Sequence, residues 1–211
     1  MAALQIKVCG MRDPENIRQI AALSIDYLGF IFYAKSSRYT AQLPDLSAIP
    51  PHIKKIGVFV NATAAAINEK IAQGLDGVQL HGQESPALCA SLKSENIIVI
   101  KAFGIDQDFN WQTLEPYLQV ADYFLFDTKS NQHGGTGQHF DWSILANYPF
   151  QKSYFLSGGL SLDNMQAAAS MNDSRLIGLD LNSRFESAPA LKDSNRIIQA
   201  LKIINNEQIS S

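Results

Sequence analysis

The chain has 211 residues, 46% apolar and 18% charged, with 17 basic side chains against 20 acidic ones. That length favours one domain, residues 1–211, with a large core, and a net charge of −3 excludes nucleic-acid binding by bulk charge. Eight Pro, 13 Gly and two Cys exclude a disordered, fibrous or disulfide-stapled chain and point to a reducing compartment.

Met1–Lys7 lacks a basic stretch followed by a long apolar one, and no run approaches the roughly 20 apolar residues that cross a bilayer. A soluble, cytoplasmic protein with no membrane partner is expected. Short apolar runs recur at Leu4–Cys9, Tyr27–Tyr33, Ile56–Val60, Gly77–Leu80, Ile97–Ile100, Tyr123–Phe126, Tyr154–Leu156 and Leu176–Leu181. Each is bounded by polar residues or glycine, as strands buried on both faces of a parallel sheet are. Between them lie helical patterns. Asp13-Pro14-Glu15 offers a cap, a first-turn proline and an acid, after which Ile17, Ile20 and Ala21 share one face. Ser85-Pro86 opens a helix with the stripe Leu88, Cys89 and Leu92, and Asp193 precedes the stripe Ile197, Leu201 and Ile204. The segment after the second run, Lys35–Lys55, is longer and holds Pro44, Pro50 and Pro51.

Eight strand–helix units without a composition break predict an α/β chain, a single-domain (β/α)8 TIM barrel. A doubly wound open sheet is the alternative, one or two strands away in the count. A barrel carries its function at the C-terminal ends of its strands.

Cys9 ends the first run, with Lys7 two residues back on the same strand side. Its thiol acts as nucleophile or base if positive charge lowers its pKa, or else packs as a small apolar group. Arg38 follows the second run in Ser36-Ser37-Arg38-Tyr39, where a bidentate fork holds a carboxylate or faces solvent. Gln79 and His81 share one side of the fourth strand, directed into the mouth, as pocket groups or satisfied structural ones. Asp127 follows the apolar Tyr123–Phe126, where burial raises a carboxyl toward general-acid use, unless it caps local amides. Gly134-Gly135-Thr136-Gly137 suits a mobile lid or an ordinary surface loop.

The seventh run leads into Ser157-Gly158-Gly159-Leu160 and a following helix, and the eighth ends Asp180-Leu181-Asn182-Ser183. Paired glycines at a helix start expose amides to a phosphate, and the loops after strands seven and eight are the usual phosphate site of this fold. A thiol, a carboxyl and a phosphate anchor around one mouth suit acid–base isomerisation of a phosphosugar. His52, His81, His133 and His139 have no zinc-ligand spacing with the cysteines, and no Gly-x-Gly-x-x-Gly follows a strand, so neither metal nor nucleotide cofactor is expected.

Lys7-Val8-Cys9-Gly10, Ser36-Ser37-Arg38, Gly57–Val60, Val78-Gln79-Leu80-His81-Gly82, Lys101-Ala102-Phe103 and Asp127 resemble the phosphoribosylanthranilate isomerase family. So do Gly134–Gly137 with Phe140-Asp141-Trp142, Ser157–Leu160 and Lys192-Asp193, in order from residue 7 to residue 193. The resemblance implies cofactor-independent Amadori rearrangement of N-(5-phosphoribosyl)anthranilate in tryptophan biosynthesis, by a monomer or homodimer. It makes Asp127 the general acid, Cys9 the general base, and Arg38 the holder of the anthranilate carboxylate. Gly158, Gly159, Asn182 and Ser183 fall on the phosphate loops. Asp180 lies near them, and since its charge would repel phosphate it is expected to orient a hydroxyl or a backbone group.

Three departures touch the rim. Ser183-Arg184-Phe185-Glu186 stands where the family usually has Ser-Gly-Val-Glu, so Arg184 adds a phosphate contact or points to solvent. Ala190 replaces the glycine of a Pro-Gly-x-Lys-Asp segment, and Ser37 a common proline. A histidine-pathway isomerase on a bulkier aminoimidazole and a non-catalytic phosphoribosyl-binding barrel are the alternatives; Cys9 speaks against both, and Asp127 against the second.

Overall fold

The computed structural model describes residues 3–93, 97–128 and 142–205. Eight parallel strands close into a barrel in sequence order: β1 (Gln5–Cys9), β2 (Tyr27–Ile31), β3 (Lys54–Phe59), β4 (Gly77–Leu80), β5 (Ile98–Ile105), β6 (Tyr123–Thr128), β7 (Tyr154–Ser157) and β8 (Leu176–Leu181). Closure rests on β1 pairing with β8, Lys7 opposite Asp180, which removes the open-sheet alternative. All eight predicted runs are strands. The fifth extends to Ile105 because Lys101, which reads as the end of an apolar run, is itself buried within it.

Side chains alternate between two cores, as the period of a strand requires. Inside the barrel, Tyr27, Ile56, Ile100, Ala102, Leu125 and Phe155 pack together. Outside, residues such as Val8, Leu28, Val99 and Leu179 meet the surrounding helices. Strand entry uses one device three times. The carboxylates of Asp26, Asp76 and Asp122, each just before a strand, accept the amides of Ile6, Lys55 and Val99 on the preceding strand at 2.7, 2.9 and 2.9 Å. This ties neighbouring strands at the end of the barrel away from the mouth.

Among the described residues, α-helices are fewer than eight strand–helix units imply. They are α1 (Pro14–Ala21), α2 (Ala64–Ala72), α3 (Pro86–Lys93), α4 (Met165–Ala169) and α5 (Ser194–Ile204). The expected starts hold: Asp13 accepts the Asn16 amide at 2.8 Å, Ser85 that of Leu88, and Asp193 those of Asn195 and Arg196. Cys89 lies buried on α3 as expected of its stripe. No helix forms between β2 and β3, where Pro44, Pro50 and Pro51 each remove a helical donor.

After β5 and β6 stand 3-10 segments, Trp111–Tyr117 and Trp142–Asn147. The first contains Pro116, and aromatic contacts seat it: Trp111 lies 5.6 Å from Phe126, edge to face, and 5.4 Å from Tyr148, tilted, between ring centroids. No helix among the described residues is long and apolar enough to cross a membrane.

Beyond β8 a 3-10 turn (Ser183–Phe185) leads to a small antiparallel hairpin, β9 (Glu186–Ala188) and β10 (Leu191–Lys192). Ala190 turns it with φ +66°, buried, in the left-handed region that favours glycine. Ala190→Gly is therefore expected to stabilise the protein by about 1 kcal/mol, a rise in Tm of about 2–4 °C. Thermal unfolding of the two proteins checks it; an unchanged or lower Tm would show that the turn is unstrained.

Candidate active site

One cavity of about 340 Å³ opens at the C-terminal ends of the strands, within the range of small-ligand pockets. Around its rim run Cys9 from β1, Arg38 after β2, Val58 and Val60 from β3 and its exit, and Gln79 and His81 from β4 and its exit. Asp127 on β6, Ser157 with Gly158 and Gly159 on β7 and its exit, and Asp180, Asn182 and Ser183 at β8 complete the ring. Of the residues singled out from sequence, only Lys7 lies beneath this lining, fully buried, with its ammonium 2.9 Å from Asp180. The lid expected at Gly134–Gly137 lies outside the described residues, as do Phe140 and Asp141.

Cys9 is buried at the end of β1 beside Gly29 of β2. A Cβ on Gly29 would stand 2.7 Å from the Cys9 sulfur, so only glycine leaves room for the thiol there. Burial holds this thiol above its ordinary pKa; Lys7 and Lys192 pull it down, and Asp180 pushes it up. The lowering expected from neighbouring positive charge is present but outweighed. Asp180 carries a second correction: it receives the Lys7 ammonium rather than a hydroxyl or backbone group. That carboxylate, with Cys9, keeps Lys7 above its ordinary pKa against the effect of burial.

Asp127 is not buried as expected; its side chain is 38% exposed and faces His81 Nε2 at 3.3 Å. His81 Nδ1 in turn meets Gln79 Nε2 at 3.0 Å, forming a chain of three polar side chains from β4 to β6. Gln79 Oε1 is a buried acceptor without a hydrogen-bond partner among the described residues. Such a group is costly unless a ligand hydroxyl or water satisfies it.

Arg38 does grip a carboxylate with two edges of its fork, but the carboxylate is the protein's own. Its Nε and Nη2 donate to Glu186 at 2.8 and 2.6 Å, leaving the Nη1 side toward Ser37. Glu186 also accepts from Lys192 at 2.6 Å, and Lys192 donates to Asn182 at 2.9 Å. Hydrogen bonds from Arg38 and Lys192 hold the Glu186 carboxyl below the usual range, against its burial. Sequence reading missed this pairing, since 148 residues separate Arg38 from Glu186. Arg184, by contrast, is exposed and does not line the cavity.

Gly158 and Gly159 have φ of +80° and +67°, and nothing lies within 4 Å of a Cβ built on Gly159. The expected helix start is corrected here: α4 begins only at Met165, and has five residues. The glycine amides belong to a loop pinned by Asn164, which donates to Gly159 O and accepts from Ser161 N, both at 2.9 Å. Ile31, Tyr33, Val58 and Val60 add an apolar wall beside Arg38, a feature that separate strand-end residues did not announce. Among the described residues, no group of three or more His, Cys, Asp or Glu is placed to share a metal ion.

A profile of the family described as N-(5'-phosphoribosyl)anthranilate (PRA) isomerase matches residues 6–203. The chain belongs to this family. Isomerases of this name from Parabacteroides distasonis and Phocaeicola vulgatus are each 44% identical, over 91% and 89% of this chain and 89% and 91% of their own. The crystal structure of the Thermotoga maritima phosphoribosyl anthranilate isomerase superposes with a TM-score of 0.79 at 32% identity, covering 96% of this chain and 99% of that one. Another solved structure of the family holds reduced 1-(o-carboxyphenylamino)-1-deoxyribulose 5-phosphate, and is 30% identical with a TM-score of 0.76, covering 96% and 99%. Family membership makes this barrel an isomerase of tryptophan biosynthesis.

Proposed function

We propose that the cavity converts N-(5-phosphoribosyl)anthranilate to 1-(2-carboxyphenylamino)-1-deoxyribulose 5-phosphate by acid–base catalysis, with no cofactor. The observation that carries this reading is the meeting of Cys9 and Asp127 in one cavity, three strands apart around the closed barrel. Asp127 gives its proton to the furanose oxygen as the C1–O bond breaks, and the anthranilate nitrogen lone pair forms the Schiff base. Cys9, as thiolate, removes the proton from C2, and the electron pair flows to the imine nitrogen to give an enolamine. The enol then loses its hydroxyl proton and C1 gains one, leaving a ketone at C2.

The rim supports one orientation of the substrate. The apolar wall of Ile31, Tyr33, Val58 and Val60 suits the anthranilate ring, with its carboxylate against the side of Arg38 that Glu186 leaves open. The phosphate falls to Gly158, Gly159, Asn182 and Ser183, where left-handed glycines turn amides toward an anion. Gln79 Oε1 is an acceptor for a ribose hydroxyl.

Purified protein should consume phosphoribosylanthranilate, followed as loss of anthranilate fluorescence, in the presence of a chelator. Folded protein without turnover would refute the reading. Running the aminoimidazole substrate of the histidine pathway alongside separates the two Amadori activities. Arg38→Ala is expected to raise KM about 10- to 100-fold with a smaller change in kcat, the scale of a charged hydrogen-bonded contact made equally in ground and transition states. An unchanged KM would remove Arg38 from carboxylate binding.

A further inference from the structure

Glu84 and Lys101 form a buried ion pair at 3.3 Å that the proposed chemistry does not use, with side chains 1% and 2% exposed. Lys101 faces out of the barrel on β5, opposite Leu80 of β4. A buried ion pair is weak evidence for stability, because desolvation offsets most of the attraction. The other contacts of this pair indicate what it does.

Lys101 donates to the carbonyls of Leu80 at 3.0 Å and Gly82 at 2.8 Å, the residues on either side of His81. Glu84 accepts the Gly82 amide at 2.9 Å and the Asn61 amide at 2.8 Å. The His81 amide donates to Phe59 O at 2.8 Å, and the Gln83 amide to Asn61 Oδ1 at 2.7 Å. The backbone on both sides of His81 is thus tied to β3, β5 and one carboxylate. Gly82 is part of the fit, since a Cβ there would stand 2.4 Å from Asn61 Oδ1. The only side chain that this braced segment sends into the cavity is His81, 3.3 Å from Asp127.

We propose that Glu84 and Lys101 are positioning residues, which act through the backbone around His81 to hold its imidazole against Asp127 during proton delivery. This inference rests on Asp127 being the general acid. An imidazole set on a loosened segment no longer orients that carboxyl, and a misplacement of about 1 Å at a reacting group costs up to about 100-fold in rate.

Lys101→Met alone leaves Glu84 as an unpaired buried charge, so the pair is best replaced together as Lys101→Met with Glu84→Gln. The expected result is a kcat lower by about 10- to 100-fold with KM within about twofold, in protein that still unfolds cooperatively. In a His81→Ala background the same replacement should cost almost nothing further, because the loss is routed through His81. The His81 ring proton resonance, assigned by its absence in the His81→Ala protein, should shift or broaden in the double replacement. Should the double replacement not fold, Gly82→Ala moves the same segment with both charges in place, and the same non-additivity with His81→Ala is expected.

An equal loss of kcat with and without His81, beside an unmoved His81 resonance, would overturn the inference and leave the pair merely structural. Asp127→Asn separates the two levels. If that variant keeps wild-type turnover, the general-acid reading falls and takes the inference with it. If it loses turnover while the His81 cycle is additive, the inference alone falls.

Discussion

Asp127→Asn is expected to lower kcat by about 100-fold or more, the usual scale for a general acid, while leaving KM and the fold nearly unchanged. The carboxamide has the shape of the carboxyl and still reaches His81 Nε2, which lies 3.3 Å from the present oxygen. At 38% exposure the side chain bears little of the core, so its replacement has no cavity to open. What it loses is the proton. Without one the furanose oxygen must leave as an alkoxide, a poor leaving group even with the nitrogen lone pair pushing from C1. The loss should therefore fall on the step after binding and appear in kcat rather than in KM. Steady-state fluorescence kinetics on the two proteins, with circular dichroism to match their folds, make the test. A kcat within a few-fold of wild type would move the acid role to another group, His81 being the nearest.

The sequence carries the barrel and the position of the site more fully than the wiring of the site. Eight apolar runs are eight strands because a parallel strand covered on both faces has little freedom to be polar. The exception shows the limit of that signal. Lys101 reads as the end of its run, yet it lies inside β5, its charge matched by Glu84 and three carbonyls. Helices were less legible. Prolines after β2 and aromatic packing after β5 take the place of α-helices there, and periodicity reports neither.

At the mouth, strand ends bring Cys9, Gln79, His81, Asp127, Ser157 and Asp180 to one cavity, as the topology requires of any (β/α)8 barrel. Which charge meets which is a different matter. Lys7 with Asp180, and Arg38 with Glu186 and Lys192, join residues brought together only by closure of the barrel and the hairpin beyond β8. From sequence, Asp180 is expected to orient a neutral group because its charge would repel a phosphate on the neighbouring loops. Its true partner enters from β1, across the seam.

These pairs also define the field around the thiol. Lys7 with Asp180 and Lys192 with Glu186 place two cations near Cys9, each already matched by a carboxylate. A matched cation lowers a thiol less than a free one, and burial then dominates.

Cys9→Ala should accordingly abolish proton abstraction from C2 and lower kcat by about 100-fold or more. Cys9→Ser should fare no better, because a hydroxyl is a much weaker acid than a thiol and stays protonated. The pH profile gives the sign. A general base works deprotonated, and burial holds this thiol above its ordinary value, so removal of the C2 proton, singled out by deuterium at C2, should quicken with pH through the neutral range into the alkaline. Lys192→Met removes one of the cations that favour the thiolate, and should carry the rising limb further alkaline. Thiolate absorbance follows the same titration directly. Burial in α3 pushes the Cys89 thiol up to about 11, so the titration is read in a Cys89→Ala background, where Cys9 is the thiol that remains. Cys9→Ala turning over at the wild-type rate, or a C2 proton-removal step that slows from neutral to alkaline pH, would take the thiol out of the reaction and return it to packing against Gly29.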